Sequence, residues 1–253
     1  MSTFRLDLAW DGGGYSGWQR QPNARTIQET VEQALQVIFP NEAIVLQGAG
    51  RTDAGVHALQ QVASFSIKGH RAPIQIVRGL NAKLPKDIVC TNVVQVVDGF
   101  NPRYHSKEKM YRYRILRSEL PCPFRYRYTW HVQRTVDVDM MQQVAEIFVG
   151  THNFDAFRAQ GCSAKSTHRT ITRSEIKLKG DELHFEVQGK GFLRHMVRIM
   201  MGSLVAVGEG KRGIHQIQLA LKHPERSLLG QTAPAHGLWL VWTSLLDNED
   251  ETE

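Results

Sequence analysis

The sequence predicts an α+β fold in which two units, residues 1–105 and 106–246, each run from a strand through a helix to further strands. Short segments with an apolar residue at every second position indicate strands with one buried face. Longer segments between them begin with helix-capping residues or end at glycine or proline, which indicates helices. The character of the chain changes at residues 100–105, and we place the boundary between the two similar units there.

Capping residues and apolar alternation predict the element boundaries. Thr26 and Glu29 have the spacing of a capping box, which predicts the start of the first helix, and Pro40 predicts its end. The predicted strands are residues 4–10, 61–67, 88–97, 111–115, 183–188 and 238–242. The predicted helices are residues 26–39, 139–149, 192–207 and 214–222, of which the second is stopped by Gly150 and the third by Gly208.

The charge of the chain is basic and unevenly distributed. Residues 1–246 contain all 31 Lys and Arg but only 20 of the 25 Asp and Glu, which gives them a net charge of +11. Residues 247–253 hold five acidic side chains and no basic one, and we predict that this tail is disordered. A basic body favours a polyanionic partner such as nucleic acid, but net charge constrains the partner only weakly.

The sequence shows no pattern of a disulfide framework, a zinc site or a membrane anchor. The three cysteines, Cys90, Cys122 and Cys162, are far apart and form no CxxC pair, so reduced thiols in the cytoplasm are expected. The N-terminus has no apolar signal core, and no apolar stretch approaches the roughly 20 residues of a membrane helix. We therefore expect a cytoplasmic protein without a metal or a membrane partner.

The glycine-rich segment from Gly12 to Gly17 matches the GxGxxG pattern of dinucleotide-binding folds. That pattern requires its last glycine to open a helix that receives the pyrophosphate. Here Pro22 follows, and the predicted helix begins nine residues after the pattern, so a dinucleotide site is disfavoured. We predict instead a flexible loop whose glycines let the backbone approach a ligand.

The segment from Gly48 to Ala58 has the highest density of reactive side chains. It places Arg51, Asp53 and His57 within seven residues, among small residues that permit close approach of a substrate. A nearby guanidinium favours the ionised carboxylate that a nucleophile or base requires. By composition alone, a structural turn in which Asp53 caps a helix is about as well supported.

This segment, Gly-Ala-Gly-Arg-Thr-Asp-Ala-Gly-Val-His-Ala, resembles the signature of the TruA family of tRNA pseudouridine synthases. Other segments resemble that family in the same order along nearly the whole chain. They are residues 6–12, 16–19, 61–65, 100–104, 109–113, 150–157, 192–204 and 232–238. The chain departs from the family pattern at Gln60, where glycine is usual, and at Asn153, where aspartate is usual.

The resemblance implies a role for several side chains. Asp53 corresponds to the catalytic aspartate, and Arg198 to the arginine that pairs with it. Tyr111 corresponds to the tyrosine that stacks on the target base, and Arg51 to the arginine implicated in base flipping. Leu238 is expected against the base pocket. The expected tRNA-contacting residues are Arg78, Phe100, Asn101, Pro102, Arg103 and Tyr104.

The resemblance also implies the reaction and the architecture. The family isomerises uridine to pseudouridine at positions 38, 39 and 40 of the tRNA anticodon stem-loop. The reaction breaks the N1–C1′ bond and joins C5 to the same carbon without redox change or hydrolysis, so no cofactor is expected.

The implied pseudouridine synthase fold has two α+β lobes that share a mixed, mainly antiparallel sheet, with the active-site cleft between them. The implied assembly is a homodimer that binds tRNA. Phosphate contacts are expected at Arg20, Arg25, Arg78, Arg103, Arg125, Arg127, Lys165 and Arg169.

Two other interpretations use the same residues. The first is a non-catalytic RNA-binding or RNA-chaperone protein on the same scaffold, against which Asp53, Tyr111 and Arg198 argue. The second is a metal-dependent nuclease or phosphatase that uses Asp53 and His57, which would need a second carboxylate cluster to hold its metal. Because the family motifs are intact, we expect the isomerase.

Overall fold

The computed structural model describes residues 1–133, 135–162 and 164–246, and the predicted acidic tail lies outside them. The chain forms two compact units, one of residues Met1–Lys107 together with the chain from Leu240 onward, and one of residues Glu108–Trp239. The predicted α+β class is confirmed, with a large sheet that is mixed and mainly antiparallel. Division into domains of residues 1–105 and 106–246 stays a prediction.

In the first unit, two helices accompany an antiparallel group of strands. The strands are β1 (Ser2–Trp10), β2 (Gln47–Gly48), β3 (His57–Ile67) and β4 (Ile88–Val96), and the helices are α1 (Ile27–Ile38) and α2 (Pro73–Lys83). β1 lies between β3 and β4, and β2 pairs with the far edge of β3. α1 packs against α2, which in turn packs against β4. β1 is therefore a central strand of this group. The loop of residues 49–56 connects β2 to β3, which pair with each other.

The predicted start of α1 is confirmed, because the Thr26 hydroxyl accepts a hydrogen bond from the Glu29 backbone N–H at 3.4 Å. β3 begins at His57, four residues before the predicted start, since Ala58 already pairs with Trp10 of β1. The second face of β1 is less exposed than predicted. Asp7 on that face is only 6% exposed, because β1 has a neighbouring strand on each side.

The second unit has more strands and three helices. The strands are β5 (Ser106–Leu116), β6 (Trp130–His131), β7 (Gly150–Asn153), β8 (His168–Lys179) and β9 (Glu182–Gly189), and the helices are α3 (Val138–Ile147), α4 (Met196–Gly208) and α5 (Ile214–Lys222). β5, β9, β8 and β7 pair antiparallel in that order, and β6 pairs parallel with β5. β10 (Leu238–Leu245) begins in this unit and continues into the first.

Two predicted helix boundaries in this unit are wrong. α4 begins at Met196 rather than at residue 192, because His195 before it adopts a left-handed φ of 64° that interrupts helical geometry. α3 ends at Ile147, and Gly150, with a φ of 113°, begins β7 rather than stopping the helix. The predicted range of α5 is confirmed. No helix in the described parts of the chain is both long and apolar enough to cross a membrane.

Candidate active site

Asp53 lies in the loop that leads from β2 into β3. Its side chain is half-buried, whereas the Arg51 side chain two residues earlier is exposed. The Asp53 carbonyl accepts a hydrogen bond from the Val56 N–H at 3.2 Å, which closes a turn just before β3 begins. No helix follows Asp53, so the helix-cap interpretation of this residue is wrong. The loop thus presents a partly accessible carboxylate at the end of a paired strand.

Buried residues hold the backbone just before Asp53. The Trp18 N–H donates to the Thr52 carbonyl at 3.2 Å, and Trp18 is almost fully buried. The Gln61 side-chain amide, also fully buried, donates to the Gly50 carbonyl at 2.8 Å. These bonds fix the backbone that leads into Asp53, and such support from buried neighbours preorganises a loop before any ligand binds.

The glycine-rich segment before α1 packs against this loop. A Cβ atom on Gly12 would lie 2.1 Å from the Val56 carbonyl oxygen, and one on Gly17 would lie 2.6 Å from that of Thr52. Gly17 also has a left-handed φ of 92°. Gly12 and Gly17 therefore allow close approach to the chain's own backbone, and the predicted role of this segment as a flexible ligand loop stays a prediction. The helix needed by a dinucleotide site does not follow, because α1 begins only at Ile27.

His57 is part of this packing rather than a surface catalytic group. Its ring is fully buried, and Nδ1 lies 3.1 Å from both the Gly12 backbone nitrogen and an Asp11 carboxylate oxygen. A metal-dependent nuclease would need this imidazole to face its substrate, so burial disfavours that interpretation. Within the described residues, His, Cys, Asp and Glu side chains form no group of three or more suited to a metal ion.

Replacement of Gly17 by alanine is expected to lower catalytic activity by about 10-fold or more, with smaller loss of tRNA affinity. The new Cβ would push on the Thr52 carbonyl and displace the backbone of Asp53, and small displacements of catalytic groups cost about this much. Single-turnover rates and filter binding measure the two effects. Gly14→Ala is the control, because its Cβ meets nothing nearer than 3.8 Å and its activity should stay near wild type. Equal activity of both variants would contradict the packing role.

In the second unit, Tyr111 occupies a buried position on β5. It pairs with Val187 of β9, and only 8% of its surface is exposed. The Phe192 ring packs against the Tyr111 ring edge-to-face, with centroids 5.0 Å apart and an interplanar angle of 80°. This aromatic contact orients the tyrosine ring.

Arg198 lies in the first turn of α4, half-buried, and is joined to the segment before β10 by two hydrogen bonds. Its Nε donates to the Ala233 carbonyl at 2.8 Å, and its own carbonyl accepts from the Ala233 N–H at 3.1 Å. A Cβ on Gly202, one turn later, would lie 1.7 Å from the Gln231 carbonyl oxygen. Residues 231–233 therefore cover this face of the helix.

Two titratable side chains near Arg198 differ in burial, since Tyr113 is fully buried and His236 is half-buried. The Tyr113 hydroxyl donates to the Pro234 carbonyl at 2.7 Å, and burial raises the pKa of this fully buried tyrosine, an effect that Arg198 opposes. Burial lowers the pKa of His236, and Arg198 lowers it further. Leu238, the first residue of β10, is 5% exposed.

The predicted tRNA-contacting residues of the first unit lie on two elements. Arg78 on α2, Arg103 and Tyr104 are exposed, Phe100 and Asn101 are half-buried, and Pro102 is buried. The Asn101 side chain accepts from the Arg103 N–H at 3.0 Å, and its carbonyl accepts from the Tyr104 N–H at 3.1 Å. These bonds form a tight turn that presents the Arg103 and Tyr104 side chains outward.

Some residues predicted to contact phosphate already have protein partners. Arg125 forms a two-bond ion pair with Asp181, Arg20 pairs with Glu32 at 3.1 Å, and Arg25 stacks on the Tyr15 ring at 4.4 Å. Arg169 donates to two backbone carbonyls, and burial lowers its pKa. Arg127 and Lys165 are exposed. Only part of this set is thus expected to reach a polyanion.

Three supporting residues were not predicted from the sequence. They are Trp18 and Gln61, which hold the Asp53 loop, and Phe192, which packs on Tyr111. Phe192 was placed in a predicted helix, although the glycines at 189 and 191 beside it indicate an irregular segment. The contacts of Trp18 and Gln61 depend on residues more than ten positions away, which no local pattern reveals.

Comparison with known proteins identifies the family of the chain. A family model described as tRNA pseudouridine synthase matches residues 9–105 and 144–243. A tRNA pseudouridine synthase A of Acetivibrio thermocellus is 42% identical over 241 residues, which cover 95% of this chain and 98% of the relative. The proteins of the same name from Pelobacter propionicus and Limosilactobacillus reuteri are 41% and 39% identical, and cover 95% and 99% of this chain and 98% and 100% of the relatives. The match spans both units and includes Asp53, Arg198 and Leu238, so the chain belongs to the tRNA pseudouridine synthase family.

Proposed function

We propose that this protein isomerises uridine to pseudouridine at positions 38, 39 and 40 of the tRNA anticodon stem-loop, with Asp53 as the catalytic residue. The observation that carries the proposal is the Asp53 loop. It presents a half-buried carboxylate on a backbone fixed by buried neighbours, in a chain that belongs to the tRNA pseudouridine synthase family. No observation favours the non-catalytic RNA-binding alternative.

The reaction needs the target base outside its stack. A stacked uridine is extruded at a cost of a few kcal/mol. Arg51, whose side chain is exposed two residues before Asp53, is proposed to occupy the vacated space or to hold the displaced backbone. Tyr111 is proposed to stack on the uracil, which stabilises the flipped state by roughly 1–3 kcal/mol. Leu238 is proposed to supply an apolar wall for the base.

The carboxylate of Asp53 then starts the chemistry. It either attacks C1′ to form a covalent bond as N1 leaves, or removes the 2′-proton so that a glycal forms as N1 leaves. The released uracil turns and C5 bonds to C1′, either as the bond between Asp53 and C1′ breaks or, on the glycal route, as Asp53 returns its proton to C2′. A base then removes the C5 proton. Tyr111 is proposed for that last step. Arg198 is proposed as the arginine that supports the catalytic carboxylate, in the role that the family resemblance implies.

The substrate is proposed to bind through the exposed residues of the first unit and the basic surface. Arg78, Arg103 and Tyr104 are exposed, which supports contacts with phosphates and sugars. Binding through such contacts weakens steeply as salt rises. We further propose that the protein acts in the cytoplasm as a homodimer, without a cofactor or a metal ion.

Site mapping on defined transcripts tests the proposal. Purified protein is incubated in EDTA with unmodified tRNA transcripts that carry a uridine at position 38, 39 or 40 alone, and pseudouridine is mapped by chemical modification and primer extension. We expect modification at each of these positions and none in a transcript with cytidine at all three. Modification only elsewhere in the tRNA would overturn the site, and binding without modification would favour the RNA-binding alternative.

A further inference from the structure

The Thr52 hydroxyl is buried immediately before Asp53 and makes no hydrogen bond with any residue that the structure describes. Thr52 is only 8% exposed, and its side-chain oxygen is out of contact with solvent. A buried hydroxyl without a partner destabilises a protein, because the group has left water and gained no hydrogen bond in exchange. Valine has nearly the same shape and avoids this cost, so the stability of the free protein does not explain a threonine at this position.

The backbone around Thr52 is fixed and leaves the loop of residues 49–56 little room to shift. The Trp18 N–H donates to the Thr52 carbonyl at 3.2 Å, and the Gly55 N–H donates to the Tyr15 carbonyl at 3.2 Å. A Cβ on Gly17 would lie only 2.6 Å from the Thr52 carbonyl oxygen, so the two backbones are in close contact. The hydroxyl can therefore gain a partner only by rotation of its own side chain or from a group that the substrate brings.

An acceptor with spare capacity lies on the next residue. Backbone carbonyls of the loop are already in use, since that of Gly50 accepts from the Gln61 amide at 2.8 Å and that of Asp53 accepts from the Val56 N–H at 3.2 Å. The Asp53 carboxylate has two oxygens with about four acceptor sites, which leaves room for a further donor beside the contacts that it already makes. This carboxylate is therefore the acceptor that best suits the Thr52 hydroxyl.

We propose that Thr52 is a positioning residue for the isomerase reaction, and that its hydroxyl turns to donate a hydrogen bond to the Asp53 carboxylate when tRNA binds. This inference rests on the proposed function of Asp53 and adds a residue to it. A hydroxyl donor favours the ionised carboxylate, which is the form that starts the reaction, and holds its oxygens in one orientation. Because the hydroxyl has no partner in the free protein, the new hydrogen bond contributes to the rate rather than to the fold.

Two substitutions of Thr52 separate a role in the rate from a role in the fold. Thr52→Val keeps the shape and removes the hydroxyl, so we expect a melting temperature equal to or above that of wild type. Its single-turnover pseudouridine formation should be at least about 10-fold slower, with a tRNA dissociation constant changed less than about threefold. Thr52→Ser keeps the hydroxyl and removes a buried methyl group, so its melting temperature should fall while its rate stays within about threefold of wild type. A purely structural threonine would not give opposite orders of activity and stability.

Thr3→Val is the matched control in the same unit. Thr3 is also buried, but its hydroxyl lies 2.9 Å from the Ser66 hydroxyl and donates to an Asp98 oxygen at 3.2 Å. Its replacement removes a partner from both groups, so we expect a lower melting temperature and an unchanged rate. The control shows how large a fall in melting temperature the loss of an existing hydroxyl contact produces.

A structure of the inactive Asp53→Asn protein bound to tRNA identifies the acceptor directly. We expect the Thr52 hydroxyl within hydrogen-bond distance of the side-chain oxygen of residue 53, which asparagine retains. A hydroxyl that contacts the RNA instead would assign Thr52 to substrate recognition and overturn the positioning role. A hydroxyl that is still without a partner in the complex would overturn it as well.

The kinetic outcomes separate this inference from the proposed function. If wild type modifies tRNA and Thr52→Val is equally fast, the inference fails and the isomerase assignment stands. If the melting temperature of Thr52→Val falls as far as that of Thr3→Val, the hydroxyl has a partner in the free protein, and the inference again fails alone. If wild type forms no pseudouridine, the proposed function fails and takes this inference with it.

Discussion

Replacement of Asp53 by asparagine is expected to lower pseudouridine formation at least about 10³-fold while tRNA affinity changes less than about threefold, because asparagine keeps the size of the side chain but cannot act as nucleophile or base. The fold should be unaffected. The backbone bonds that hold the loop come from the neighbours of Asp53 and from its carbonyl, none of which the substitution removes. Single-turnover pseudouridine formation and equilibrium tRNA binding are the two measurements.

A second carboxylate in the same unit provides the control. Asp98 lies just beyond β4, where an oxygen accepts from the Thr3 hydroxyl at 3.2 Å, and its side chain is largely exposed. Asp98→Asn should keep wild-type activity. An Asp53→Asn enzyme that retained more than a tenth of the wild-type rate would show that another residue starts the reaction. Loss of tRNA binding in parallel with activity would instead assign Asp53 to substrate recognition.

Elements with a local signal were predicted well from the sequence. The start of α1 follows from Thr26 and Glu29, which are three residues apart, and the limits of α5 from a short amphipathic segment. α2 was not predicted, because only Ile76 and Leu80 of its eleven residues are buried and its apolar periodicity is weak. β8 was missed for a similar reason, since charged and hydroxyl residues occupy much of the strand.

Boundaries that depend on distant contacts could not be predicted. β3 extends to His57 because of its pairing with β1, and α4 starts late because His195 adopts a left-handed conformation. In the candidate site, too, features with a local sequence signal were predicted and features that depend on distant contacts were not. Asp53 was identified from its local motif, whereas the roles of Gly12 and Gly17 depend on the backbone of a segment about 40 residues away. A glycine pattern alone cannot distinguish close approach to a ligand from close approach to the chain itself.

Replacement of Gly202 by alanine is expected to destabilise the protein by at least about 3 kcal/mol, near the upper end of what overpacking substitutions cost. The new Cβ would lie 1.7 Å from the Gln231 carbonyl oxygen, and neither backbone can move away easily. On the other side of the contact, a Cβ on Gly230 would lie 2.1 Å from the Gly202 carbonyl oxygen. The segment before β10 would have to separate from α4.

Thermal unfolding measures this effect, and the melting temperature should fall by roughly 6–12 °C or more for a chain of this size. Gly191→Ala is the control, because its Cβ would meet nothing nearer than 3.9 Å and its φ is not left-handed. Its melting temperature should change by less than about 2 °C. Equal stability of the two variants would show that the Gly202 contact can relax at little cost.

The substitution should also affect activity through Arg198. The two hydrogen bonds between Arg198 and Ala233 lie next to the Gly202 contact, so separation of the segment from α4 would break them and release the guanidinium from its fixed position. At a temperature where Gly202→Ala is still folded, we expect its single-turnover rate to fall more than its tRNA affinity. A folded variant with a wild-type rate would mean that Arg198 does not need this segment to hold its position.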